Sequence, residues 1–314
     1  MYSGTDSVFG LVSTGSSYDC KITSYDATPE ISKVISSTFG TTAGAFYIKG
    51  STSGVVSSLS FYRNCYNSFE GGAFYLINTQ LVDSRSKFML NNANYGGAFK
   101  CDNCVLTLTD SEVRDNDAFD GGAIYSINKI TLTATRTVFY NNKAMNKGGV
   151  LAITNTAYTV LTPTVITFQS CPTISRNKAD WGGFAYYDND YAELRIIDST
   201  ISNHTAYKRS AFVEAYSMEK FSIAKSYIGD VFAPLTTAMH SVAKKLNMKI
   251  TGSDIVCNSS YKDWEAYKLI NTTVVPQIPI HTKFYIQEAT NVSLTNNKVR
   301  MCGTSNFGGV FWLT

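Results

Sequence analysis

The sequence predicts an all-β chain wound as a right-handed parallel β-helix, with about nine or ten coils of 25–28 residues plus insertions. Three observations carry this. The stretch Glu70-Gly-Gly-Ala-Phe-Tyr-Leu-Ile77 recurs along the chain. An apolar residue followed three positions later by Asn precedes most copies. No amphipathic helix longer than about two turns fits between them.

The copies set the order of the elements. They begin at Gly44-Ala-Phe-Tyr-Ile48 and continue through Gly96-Gly-Ala-Phe-Lys100, Gly121-Gly-Ala-Ile-Tyr125, Gly148-Gly-Val-Leu-Ala152 and Gly182-Gly-Phe-Ala-Tyr186. Ser210-Ala-Phe-Val213 and Gly308-Gly-Val-Phe-Trp312 follow. The second glycines are 25 residues apart from Gly72 to Gly97 and from Gly97 to Gly122, then 27 to Gly149 and 34 to Gly183. Ser210 comes 27 later, and Thr237 and Glu265 take the next two anchor places. Residues 1–314 therefore read as one array: irregular first coils over 1–43, regular coils over 44–215, and degenerate coils over 216–314. Two excursions interrupt it, one around Tyr158–Pro172 and a protruding loop at 271–282, where Pro276 and Pro279 bar a central strand. Residues 8–12 already resemble a repeat strand, and neither end carries a polar cap. The reading expects a stretch of a longer protein with a secretion signal outside it.

Each column has a physical reason. In the Gly-Gly strand, Phe46, Phe74, Phe99, Ile124, Leu151 and Phe212 share one face. Tyr47, Tyr75, Lys100, Tyr125, Ala152 and Tyr186 share the other. A buried Lys is improbable, so the Phe column points inward and the Tyr column outward. The asparagines Asn64, Asn91, Asn116, Asn142 and Asn177 occupy sharp corners, where Asn tolerates left-handed backbone, and they can stack into an inter-coil amide ladder. Asn258 and Asn297 repeat the pattern, and His204 and Asp230 stand at two expected Asn places. Five residues ahead, Ser86, Ser111, Thr137, Ser199 and Ser253 form a small polar column.

Composition excludes several functions. Charged residues make up 16% of the chain and the net charge is +3, with no basic cluster beyond Lys244-Lys245, so no nucleic-acid footprint exists. No apolar run is long enough to span a membrane. No nucleotide-binding, nucleophile-elbow or zinc pattern occurs, and no catalytic residue, metal site or cofactor is assigned. Asp115, Asp117, Asp120, Asp188 and Asp190 are the carboxylates a glycosidase would need in pairs, but they sit at turns where Asp is ordinary. His204, His240 and His281 lack partners in sequence, and His204 reads as structural. Cys101-Asp-Asn-Cys104 is a candidate disulfide, the alternative being two isolated side chains. Four sequons mark Asn203, Asn258, Asn271 and Asn291 as glycosylation candidates. Asn258 ranks last because a ladder amide cannot also carry a glycan. The outward tyrosines Tyr47, Tyr75, Tyr125 and Tyr186 form a possible binding face for sugars or a partner chain, or reflect β propensity alone.

Paired Gly-Gly-Ala-[Phe/Ile] and Phe-x-x-Asn resembles the repeats of polymorphic outer membrane proteins. Both halves stand at Phe88…Asn91 with Gly96-Gly97-Ala98 and at Val113…Asn116 with Gly121-Gly122-Ala123-Ile124. They stand again at Phe139…Asn142 with Gly148-Gly149. The resemblance covers residues 30–215 best, and the sequons with Tyr- and Asn-richness point to a eukaryotic, protist-like relative. It implies a pectin-lyase-like β-helix at a cell surface or outside the cell, in a non-enzymatic structural or adhesive stalk. Its partners would be protein chains, further copies of itself, or glycans. The alternatives are a carbohydrate-binding or polysaccharide-degrading module of that fold and, more weakly, an intracellular scaffold.

Overall fold

The computed structural model describes residues 21–24, 46–50, 55–154, 163–233, 236–256, 282–300 and 311–313. They form strands and turns, with no helix among the described residues. The chain winds as a right-handed parallel β-solenoid of about seven turns. At ~4.8 Å per turn that is a rod of about 34 Å.

Each regular coil visits three sheets. A Gly-Gly strand such as Phe74–Ile77 and the strand after it, Gln80–Ser84, lie in one main sheet. In two coils they fuse into the long strands Phe99–Thr109 and Ile124–Thr135. A short strand (Lys87–Met89, Glu112–Arg114, Val138–Tyr140) adds to a corner sheet. A last strand (Asn92–Tyr95, Asp117–Asp120, Lys143–Lys147) adds to a side sheet and leads into the next Gly pair.

The inward column of the main sheet steps from Phe46 through Phe74, Phe99, Ile124 and Leu151 to Ala185, Val213, Met239 and Phe284. Phe46, Phe74 and Phe99 stack with centroids 4.9 and 5.8 Å apart. Burying each ring contributes about 1.5–3 kcal/mol. The 27-residue coil takes up its two extra residues as bulges, one opposite Asp102–Cys104 and one opposite Ala118–Asp120.

Several expectations are corrected. Phe212 is buried one place earlier, over Phe184 at 5.3 Å, and Val213 holds the column position. Ser210 therefore occupies the first-glycine place, with φ of 47°. Thr236–Ser241 pairs directly with Thr282–Ile286 in the main sheet, and the anchor expected at Glu265 lies outside the described residues. The solenoid has about seven turns, fewer than the nine or ten coils expected, and its side sheet has six strands among the described residues. The first excursion is shorter than Tyr158–Pro172, because Thr164–Gln169 is a regular main-sheet strand in register with both neighbours. Lys21–Ser24 runs antiparallel to Ser60–Arg63, so this strand covers the edge of the corner sheet against the direction of winding.

The corners divide between two residues the work that the sequence reading assigned to one. The left-handed residue is the one before the ladder Asn: Leu90, Asp115, Asn141 and Arg176 have φ of 55°, 55°, 52° and 57°. The ladder residues Asn91, Asn116, Asn142 and Asn177 are buried. Asn91 Nδ2 donates to Asn116 Oδ1 at 3.0 Å, Asn116 to Asn142 at 2.9 Å, and Asn142 to Asn177 at 3.0 Å. Each amide also bonds backbone of the neighbouring coils, as Asn116 does to the Asn91 N–H and the Phe88 carbonyl. Asn64 is a left-handed corner instead, because Tyr62 rather than Phe61 faces inward opposite Phe88, and Cys65 takes the ladder place. Asp230 is likewise a corner, with φ of 48°. Asn297 belongs to the serine column, where its Oδ1 accepts the Ser253 N–H at 2.9 Å. That column runs Ser60, Ser86, Ser111 and again Ser199, Ser226, Ser253, and the hydroxyls of Ser86, Ser111, Ser199, Ser226 and Ser253 each accept the N–H of the coil before.

The second glycine of each pair is required by space. A Cβ on Gly97 would fall well inside contact distance of the Gly122 carbonyl oxygen, whereas one on Gly50 meets nothing within 4 Å. G50A therefore costs only the left-handed penalty of about 1–2 kcal/mol, while G97A forces backbone apart and loses substantially more, read as urea unfolding midpoints. N116A leaves the Asn91 N–H and the Phe88 carbonyl unpaired in the interior. It is expected to cost about 2–4 kcal/mol by the same measurement, and N116D more, since its second oxygen would face the Phe88 and Asn142 oxygens.

Candidate functional site

At the Gly pair the chain turns from the side sheet into the main sheet, and the backbones approach closely because neither glycine carries a side chain. Two columns of large side chains meet in this angle. The side sheet supplies the residue just before each Gly pair: Glu70, Tyr95, Asp120, Lys147, Trp181 and Arg209. The main sheet supplies the Tyr column. In register it runs Tyr47, Tyr75, Lys100, Tyr125, Ala152, Tyr186 and continues through Glu214, His240 and Tyr285.

This column lies on the outer face of its strand yet is largely covered. Tyr125 and Tyr186 are buried and pack with Ala152, Tyr95, Ile127 and Trp181 into a second, small apolar cluster. The argument that a buried Lys is improbable fails at Lys100. It is 5% exposed, paired with Glu70, and lies over the Tyr75 and Tyr95 rings at 4.6 and 5.6 Å. Lys147 lies over Tyr186 at 4.5 Å and Arg209 over Trp181 at 4.9 Å. Tyr47 and Tyr75 are half-buried with rings 5.3 Å apart. Burial raises the Tyr75, Tyr125 and Tyr186 hydroxyls above their ordinary range, with nearby carboxylates adding to it. Asp120 is also pushed up by burial, against the pull of Lys147. It accepts hydrogen bonds from the Asn146 amide at 2.9 Å and the Lys147 N–H at 3.1 Å.

One group in the seam is incompletely satisfied. Glu214 is fully buried. Its Oε1 lies 3.0 Å from His240 Nδ1 and 3.5 Å from Arg209 Nη1, and Arg209 Nη1 also lies 3.5 Å from His240 Nε2. Because a carboxylate only accepts, His240 Nδ1 is the donor to Glu214. The His240 ring stacks on Tyr285 at 5.0 Å. Glu214 Oε2 has no hydrogen-bond partner among the described residues, a state that costs about 1–3 kcal/mol or more for a carboxylate.

The other sequence candidates are placed as follows. Asp115 pairs with Arg114 at 2.5 Å and accepts from Asn141 at 2.7 Å, and Asp117 lies 3.9 Å from Lys143. Asp188 and Asp190 are exposed. No group of three or more His, Cys, Asp or Glu converges as a metal site among the described residues. Cys101 and Cys104 are joined by a disulfide with Cα atoms 5.7 Å apart, across the left-handed corner at Asn103. Asn203 is exposed on a left-handed corner, and Asn291 is exposed at the start of a strand. Asn258, Asn271, His281 and nearly all of the 271–282 loop lie outside the described residues. None of these described residues has a helix long and apolar enough to cross a membrane. Arg209, Glu214 and Trp181 were missed by motif reading, and His240, which lacks a partner in sequence, finds one in Glu214. Aligning on the Gly pair and taking the residue before it would have shown the side-sheet column.

No protein-family model, curated protein or solved structure matches the chain.

His204 ends the Asn ladder. It is fully buried, and its Nδ1 accepts the Asn177 N–H at 3.3 Å. Nε2 therefore carries the proton, and it makes no hydrogen bond among the described residues. Burial lowers its pKa from 6.5 to about 3. The folded state thus resists protonation and the unfolded state does not. His204's contribution is complete above pH 6.5 and falls by up to about 1.4 kcal/mol per pH unit as pH drops toward 3. Asp83, raised by burial in the core, works in the opposite sense. The comparison that isolates His204 is therefore H204N, whose unfolding free energy should vary less steeply with pH between 6.5 and 4 than that of the parent chain.

Proposed function

We propose that this chain is a rigid β-solenoid displayed at a cell surface or secreted, serving as a structural or adhesive stalk. One observation carries the reading: in the regular coils the side chains are spent on holding coil to coil. The buried amides of Asn91, Asn116, Asn142 and Asn177 bond one another. The serine column bonds backbone, and even the outer Tyr column is packed against its own side sheet. Such a chain resists bending and presents its corners and excursions to the surroundings. Asn203, exposed with its sequon on a left-handed corner, and the Cys101–Cys104 disulfide both suit an oxidising, glycosylating environment. The resemblance to polymorphic outer membrane protein repeats, in a eukaryotic relative, supports the same reading. A polysaccharide-degrading role is favoured less, because Asp115 and Asp120 are each engaged by a structural neighbour.

Non-reducing peptide mapping of the native protein by mass spectrometry, with and without deglycosylation, tests this. The expected result is a glycan on Asn203 and a closed Cys101–Cys104 bridge. A bare Asn203 together with reduced Cys101 and Cys104 would sink the surface reading and leave the internal scaffold.

A further inference from the structure

We propose that the outer face of the side sheet docks a second copy of this chain, laid antiparallel across a two-fold axis. The proposal deepens the adhesive reading above by naming a partner, and it rests on that reading.

The side sheet inverts the rule of the main sheet. Its inward column is alanine in five successive coils: Ala93, Ala118, Ala144, Ala179 and Ala206, all buried. Large apolar side chains point into solvent instead. Phe69, Phe119 and Met145 are 68%, 46% and 61% exposed. Phe119 and Met145 are neighbours on adjacent strands, and Phe69 stands two strands from Phe119, at the bulge opposite Asn94. The fold does not ask for them there. These strands are joined by backbone hydrogen bonds, and Met is not among the residues that favour a strand. A row of exposed apolar side chains on one sheet face marks a contact surface.

Charge identifies the occupant. Beside the apolar row runs a second outer column, with Asn92, Asp117, Lys143 and Lys178 in register. Its acid and its bases lie on opposite sides of the midline between Phe119 and Met145. A two-fold axis along the strands at that midline reverses the order of coils and keeps each column opposite itself. Phe119 then covers Met145 of the other copy, and Asp117 meets its Lys143. Each contact occurs twice, as a two-fold contact must. One strand farther out, Asn92 meets Lys178 and Asn94 meets Asp180, polar pairs suited to a rim. Within one chain Asp117 and Lys143 lie 3.9 Å apart and both are partly exposed, so the four charges alternate around the axis. The other way to face two copies, with the axis along the rod, sets Phe119 on Asp117 and Met145 on Lys143. That buries charge against apolar groups and is unfavourable.

The size of the face sets the strength. Six strands at ~4.8 Å, each contributing about four residues at ~3.3 Å, give roughly 380 Å² per copy. Two copies bury about 750 Å², less than the about 1,200 Å² of a stable complex. The contact is therefore weak for one pair of rods and gains strength where many copies are held together on a surface.

The test is sedimentation velocity of the folded chain from micromolar to millimolar concentration. The expected result is a reversible rise in mass toward twice that of the chain. F119S and M145S, each with a parent-like circular dichroism spectrum, should weaken it tenfold or more. D117K and K143D should each stay monomeric alone and associate when mixed, since one copy is then basic at both positions and the other acidic at both. Loss of the pair within one chain cannot produce that rescue. Should D117K fail to fold, F119S and M145S carry the test, because their side chains are exposed. A parent chain that stays monomeric at millimolar concentration overturns the proposal. So does association unchanged in F119S and M145S, or a mixture of folded charge variants no more associated than either alone. A monomer with Asn203 glycosylated would discard this interface and keep the displayed stalk. A bare Asn203 with reduced cysteines would remove the reading on which the interface rests.

Discussion

The whole winding depends on how closely one coil can lie against the next at the Gly pair. There the second glycine faces the carbonyl of the following coil's second glycine, at a distance that leaves no room for a Cβ. That approach locks the stack. Gly72 N–H donates to the Gly96 carbonyl, Gly97 to Gly121, Gly122 to Gly148 and Gly149 to Gly182, so the corner is itself a hydrogen-bonded ladder. With this edge fixed, the main-sheet register follows, and every inward side chain falls over its equivalent one coil away. The first glycine solves a different problem, supplying a left-handed turn with φ between 59° and 70° from Gly71 to Gly182. Ser210 adopts φ of 47° in its stead, at the strain expected of a residue with a side chain.

The same close corner explains why the outer face behaves as a second interior. Bending the chain sharply at two glycines folds the side sheet toward the main sheet, and the large residues on either side of the pair must share the angle between them. Lys100 can be nearly buried because Glu70 neutralises it and two tyrosine faces surround its ammonium group. Tyr125 and Tyr186 are buried for the same reason. Removing charge from water is unfavourable unless a partner is in place. Here each regular coil provides one.

Much of the architecture was readable because its rules are periodic. The Gly pair, the inward Phe column and the serine column repeat at fixed offsets, and each offset has a steric or hydrogen-bonding cause. The ladder amides were readable too, but their division of labour was not. Asn64 and Asn116 look alike in sequence, and only the pairing of Tyr62 with Phe88 shows that the first is a corner and the second a ladder member. Phe212 misled in the same way, since a strand that accepts Phe at the alanine place, as Phe184 does, cannot be told from a shifted one by composition. The seam was half readable. Its main-sheet column was visible as alternation, but alternation says only which side a residue takes and nothing of what stands opposite. Glu214 and His240 carry no motif at all and become neighbours only through the 26-residue register step.

The breaks in periodicity are not scattered. The Asn ladder reaches His204, the last described strand of the side sheet closes at Arg209 and the Gly pair is replaced at Ser210–Ala211, all within one coil. Glu214 lies in the next strand of the same winding. A residue that ends a ladder with an unpaired Nε2, and a carboxylate with an unpaired oxygen, are each unfavourable to folding. Departures from the rules that specify a fold concentrate where a chain does something besides fold. The regular coils from Tyr66 to Trp181 are held by their own cohesion, although Asp83, Asp117 and Ser126 each leave a buried atom without a partner among the described residues. Around Arg209 three such atoms fall close together in sequence, on His204, Ser210 and Glu214, where the periodic rules are also broken.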